Sequence, residues 1–113
     1  MSSTAKKIYL AGPMSGMPDL NFPAFRQARE KLRAEGYTVF CPAEHAEQTE
    51  AEISAEQNAS QDFRRRVLAI DLAWICAEAD AIALLPGWRS SKGATAERAT
   101  AEALGLLVFE LTP

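Results

Sequence analysis

The sequence predicts an α/β domain in which a parallel sheet carries helices on both faces. Three observations predict it. Short apolar runs recur at residues 7–12, 37–40, 81–85 and 107–111, segments with helical spacing separate them, and glycine or proline closes most of the runs. Apolar strands that alternate with helices are buried on both sides, the pattern of a parallel sheet joined by right-handed crossovers. This is the Rossmann-like (flavodoxin-like) class.

The first strand is Lys7-Ile8-Tyr9-Leu10-Ala11-Gly12, ended by Pro13. The loop from Pro13 to Leu20 holds Gly16 and Pro18 and is expected to be ordered. Asn21 is expected to cap the next helix, in which Phe22, Phe25, Ala28 and Leu32 repeat at helical spacing until Gly36. Tyr37 to Phe40 is rich in β-formers and is stopped by Cys41-Pro42. From Ala43 to Ser60 the chain turns to Glu, Gln, Ala, Ser and Asn, with Ile53 as its one large apolar residue, so a mobile loop or lid is expected there. Asp62 to about Glu78 is helical by period, Ala81 to Leu85 is a buried strand, Ala94 to Leu104 is an Ala-rich helix stopped by Gly105, and Leu107 to Leu111 is a last buried strand.

With 113 residues, 48% of them hydrophobic and 24% charged, the chain suits one soluble domain spanning residues 1–113. So small a core would gain from a covered apolar face, which makes a homodimer an expectation. The net charge of −3 gives no basic footprint for duplex DNA or RNA. Cys41, Cys76 and the single histidine, His45, lack metal-ligand spacing and give little material for a zinc site or a Ser-His-Asp triad; the cysteines read as buried free thiols. No apolar stretch approaches the ~20 residues that span a bilayer, and the short polar start reads as cytoplasmic.

Two carboxylates stand out. In the second helix Phe63, Val67, Ile70, Trp74 and Ile75 lie on one arc, and Asp71 falls inside it. An interior carboxylate must be hydrogen-bonded, paired with Arg64 or Arg65, or placed in a pocket that shifts its pKa. Glu97, in the first turn of the third helix, is favoured there by the helix dipole, and it shares a face with Ala94, Ala101 and Leu104 that lets the helix pack closely. Arg98 and Glu102 read as a solvated side.

Ligands in open parallel sheets sit beyond the carboxyl ends of the strands. The segment from Gly87 to Thr95 enters the third helix there with Ser90, Ser91 and Gly93 and the cations Arg89 and Lys92, a composition that can hold a phosphate on backbone N–H groups. Gly12-Pro13-Met14-Ser15-Gly16 is a second small-residue loop on the same edge. The Gly87–Thr95 segment lacks Walker spacing and a GxGxxG fingerprint and by itself is equally compatible with a plain turn, but two such loops on one edge together favour a phosphate or sugar site.

Taken in order, Tyr9-Leu10-Ala11-Gly12-Pro13, Asp71-Leu72-Ala73-Trp74-Ile75 with Ala79-Asp80, and Ser91-Lys92-Gly93-Ala94-Thr95-Ala96-Glu97 resemble the nucleoside 2-deoxyribosyltransferase superfamily. The likeness is closest to a phage-associated branch of it, and the chain is also similar to the 2'-deoxynucleoside 5'-monophosphate N-glycosidases. The resemblance implies a displacement in which Glu97 attacks the anomeric carbon, Asp71 handles the proton of the departing base or orients the sugar, and Tyr9 positions Glu97. It also implies a phosphate held by Gly12, Ser15, Gly16, Ser91 and Gly93, no cofactor or metal, a nucleotide or nucleoside as the small-molecule partner, and pairing of two copies. Ser91 stands where monophosphate-hydrolysing members carry serine and nucleoside transferases carry aspartate, so hydrolysis of a nucleoside 5'-monophosphate is the expected reaction. The alternatives are a nucleoside 2-deoxyribosyltransferase and a nucleotide-binding or sensing module without turnover.

Overall fold

The computed structural model describes residues 6–14, 16–44 and 61–112. Ser15, His45 and most of the expected Ala43–Ser60 lid lie outside the described residues, as does the Phe63 side chain. Four strands, β1 (Lys7–Ala11), β2 (Thr38–Phe40), β3 (Ala81–Leu84) and β4 (Leu107–Glu110), form one sheet in the order β2-β1-β3-β4. Every pairing is parallel, as the alternation of strands and helices predicts. Among the described residues the longer helices that connect them are α1 (Phe22–Ala34), α2 (Gln61–Ala77) and α3 (Lys92–Ala103). None is long and apolar enough to cross a membrane.

The period-two alternation of β1 divides the core in two. Ile8 and Leu10 meet Phe25 and Leu32 of α1 on one face, together with Val39 and Ala83. Tyr9 and Ala11 meet Ile75 of α2, Ala94 and Ala101 of α3, and Trp88 on the other. Helices therefore cover both faces, and the carboxyl ends of β1 and β3 meet where the strand order reverses, the ligand-binding position of such sheets.

Three expectations need correction. β4 is not buried: Phe109 is 41% exposed and Leu107 is exposed beside it. As the edge strand it pairs only with β3, and α1 leaves a cleft of about 300 Å³ beside it, lined by Leu32, Tyr37, Ala83, Phe109 and Leu111. The apolar arc of α2 also outruns the core, since Ile75 is buried and Trp74 half-buried while Val67 and Ile70 stand in solvent, Ile70 at 53%. Asn21 does not cap α1. It adopts a left-handed φ of 62°, following Asp19 and Leu20 at 51°, and its side-chain amide instead donates to Pro13 O at 2.9 Å. Three consecutive non-glycine residues in this region store strain, roughly 1–2 kcal/mol each, in the loop that leaves β1.

Candidate active site

Tyr9 lies on the central strand with its ring fully buried on the α2/α3 side. Its hydroxyl donates to Glu97 Oε2 at 2.8 Å. Glu97 reaches it because Ala94 and Ala101, on the same side of α3, are too small to hold the helix off the sheet, and all three residues are buried. Leu104, expected on that face, is exposed at the helix end. Asp71 projects from the buried side of α2, one turn before Ile75, within hydrogen-bonding reach of both the Tyr9 hydroxyl and the Glu97 carboxyl. The two carboxyl groups are 5% and 6% exposed. They are the buried charged residues of the described chain, and of the possibilities open for Asp71 the structure shows the hydrogen-bonded one.

Burial raises the Glu97 carboxyl to about 9, with the negative charge of Asp71 adding to the rise and the Tyr9 hydrogen bond opposing it. Tyr9 is pushed well above its ordinary value, first by burial and then by the charges of Glu97 and Asp71. Two touching carboxylates in a poorly solvated site do not both ionise, so the pair retains a proton through neutral pH. One carboxylate and one carboxylic acid in contact are the equipment of an acid–base or nucleophile–acid pair.

Rings surround Tyr9. Phe40, its register partner on β2, stacks on it with centroids 5.4 Å apart and planes 16° apart. Trp74 of α2 closes over both rings at 6.3 and 5.0 Å. Sequence reasoning missed Phe40, which strand register places, and missed Trp74 as part of the site, although Trp74 follows Asp71 by three residues and so shares its side of α2.

The residues expected to hold a phosphate are placed differently from the carboxylates. Ser91 is the N-cap of α3, its Oγ accepting the Ala94 N–H at 3.1 Å, nearly two turns before Glu97. Gly93 has open space around it, since a Cβ there would meet nothing nearer than Ser91 Oγ at 3.9 Å. Gly16 is a left-handed glycine, φ 80°, also facing open space. Gly12 has a packing reason for being glycine: a Cβ there would lie 2.8 Å from Leu85 Cβ, where β1 and β3 leave the sheet side by side. Arg98 is not merely solvated. It pairs with Glu102 at 2.6 Å, yet its guanidinium also lies 5.2 Å from the centre of the buried Trp88 ring, with that of Arg89 at 4.7 Å. Cys41 is buried, as expected of a free thiol, whereas Cys76 is exposed.

A strand-order reversal flanked by two buried carboxyls and a tyrosine defines an α/β domain with an enclosed acidic site. The solved structures place that class more narrowly. One of eight matching chains is the 2-deoxyribosyltransferase of the psychrotolerant bacterium Bacillus psychrosaccharolyticus, described as a biocatalyst for the synthesis of antiviral and antitumoral nucleosides. The two share 28% sequence identity and superpose with a TM-score of 0.68, over 92% of this chain and 70% of that one. No curated protein matches. Residues 6–110 match the model of a domain of unknown function, DUF4406, and the chain belongs to that family.

Proposed function

We propose that this protein cleaves the N-glycosidic bond of a (deoxy)nucleoside 5'-monophosphate through a covalent glycosyl-enzyme. The observation that carries the reading is the contact of two buried carboxyl groups with each other and with one phenol hydroxyl. Glu97 is the nucleophile, acting in the form of the pair in which the shared proton sits on Asp71 and Glu97 is ionised. Its oxygen attacks the anomeric carbon, the carbon–nitrogen bond breaks toward the base, and Asp71 delivers the shared proton to the departing nitrogen. Water then attacks the glycosyl ester, Asp71 takes the water's proton, and Glu97 leaves as a carboxylate. Tyr9 holds Glu97 in the attacking orientation.

The phosphate belongs at the start of α3. With Oγ accepting from Ala94, the Ser91 hydroxyl keeps its proton to donate, and Gly93 leaves the first-turn N–H groups approachable. Arg89, two residues before Ser91, adds positive charge to the same loop. Gly12 and Gly16, on the loop that leaves β1, complete the phosphate site in this reading. A deoxyribosyltransferase is the second reading, favoured by the activity of the Bacillus neighbour. A homodimer accompanies either, formed on the exposed Val67 and Ile70 side of α2.

One experiment separates the reactions. Incubation with individual nucleoside 5'-monophosphates and nucleosides, with and without an added acceptor base, is followed by chromatography. Hydrolysis gives free base and sugar phosphate without acceptor, transfer gives a new nucleoside only with acceptor, and a binding module gives neither.

A further inference from the structure

We propose that Phe40 is a positioning residue, its ring stacked on Tyr9 and closed by Trp74 so that the phenol hydroxyl stays on Glu97. Register pairing in the parallel ladder sets Tyr9 and Phe40 side by side on one face of the sheet. Their planes differ by 16°, so Phe40 presents a flat wall along the whole Tyr9 ring. Trp74 stands across the open end, tilted 42° to Tyr9 and 33° to Phe40.

A tyrosine side chain has two soft torsions. Turning the first swings the whole ring into Phe40 or Trp74, whereas turning the second only spins the ring about the axis on which the hydroxyl oxygen lies, so blocking the first torsion is what fixes the hydroxyl. What remains is one placement of the hydroxyl, 2.8 Å from Glu97 Oε2. Leucine in place of Phe40 would fill much of the same volume without the flat wall, so volume and positioning are separable. The clamp also couples the two acids, because Trp74 lies one turn after Asp71 on α2 and rests on the ring whose hydroxyl meets Glu97.

The role rests on the reading of Glu97 as the reacting group, yet it can be measured without turnover. Among the described residues the titratable groups facing Glu97 are Tyr9 from β1 and Asp71 from α2. The full chain, labelled with ¹³C at glutamate carboxyls, is titrated by NMR as wild type, Tyr9→Phe, Phe40→Leu and Phe40→Tyr, with Glu97 assigned by its loss in Glu97→Gln. Tyr9→Phe raises the Glu97 midpoint by removing a hydrogen bond to the ionised form. Phe40→Leu raises it in the same direction, by about half a unit or more, while Phe40→Tyr, which restores the flat ring, keeps the wild-type midpoint. If Phe40→Leu loses its fold by circular dichroism, Trp74→Leu replaces it with the same expectation.

A folded Phe40→Leu with the wild-type midpoint would overturn the role when Tyr9→Phe is shifted. A Tyr9→Phe without a shift would overturn it as well, by removing the contact through which Phe40 acts. Base release, followed in parallel, is expected to show kcat falling more than KM rises in Phe40→Leu. Absence of base release in the wild type, with both midpoints shifted as expected, would overturn the glycosidic reaction and leave the positioning role standing.

Discussion

The Tyr9 hydroxyl and the Glu97 carboxyl group meet at 2.8 Å although 88 positions of sequence separate them. The contact exists because the central strand carries Tyr9 toward α3, and α3 approaches on alanines. Asp71 completes the group from a second helix.

Stability should fall with pH across a defined window. Burial, and then the charge of Asp71, raise Glu97 in the folded protein to about 9. Between the ordinary carboxylate range and that value the folded chain holds a proton that the unfolded chain has released, so raising the pH disfavours folding. The slope is at most about 1.4 kcal/mol per pH unit. Urea melts of wild type and Glu97→Gln at several pH values check this: the advantage of the variant should grow from about pH 5 to pH 9. A constant difference would contradict the shared-proton description.

Gly12→Ala should cost stability without touching the carboxylates. The added methyl would lie 2.8 Å from Leu85 Cβ and 2.9 Å from its Cδ1, an overpacking worth roughly 1–3 kcal/mol. Leu85→Ala in the same chain should return part of that loss. A double-mutant cycle by chemical denaturation measures the coupling, and simple additivity would mean that Gly12 is glycine for another reason.

Ser91 tests the phosphate reading, provided its capping role is held constant. Ser91→Ala removes the acceptor for Ala94 N–H and should cost about 1 kcal/mol of stability. Ser91→Asp keeps a capping oxygen and adds a negative charge. Calorimetry should show Ser91→Asp binding a nucleoside but no longer its 5'-monophosphate, and equal binding of the monophosphate to wild type and Ser91→Asp would move the phosphate elsewhere.

Much of this was legible in the sequence, for reasons that also mark its limits. The β1 and β3 runs announce buried strands because parallel strands are apolar on both faces. The spacing of Ala94, Glu97 and Ala101 places the carboxyl on the close-packing side of α3, and Asp71 falls on the apolar side of α2 by the same periodicity. Periodicity reports that a residue is apolar, however, not what covers it. Val67 and Ile70 are apolar and exposed on the part of α2 that outruns the core, and Leu107 and Phe109 are exposed on the edge strand, which α1 leaves uncovered. The Tyr9–Phe40 stack depends on strand register, which is fixed by tertiary pairing. Asn21 has the right chemistry for an N-cap, but its side chain is engaged by Pro13 O.

The exposed side of α2 gives the assembly prediction. Ile70 is 53% exposed in the single chain, with Val67 exposed one turn earlier. Sedimentation should show a dimer at micromolar concentration for wild type and a monomer for Ile70→Glu, with unchanged circular dichroism. A wild-type monomer would remove this surface as an interface.

Base release by Glu97→Gln tests the central claim most directly. Wild type and variant are incubated with the nucleoside 5'-monophosphate that gives most free base, while binding of the same nucleotide is measured by calorimetry. The account predicts that turnover disappears while nucleotide affinity changes little, because a nucleophile acts in the transition state more than in the ground state. Full turnover by Glu97→Gln would contradict it.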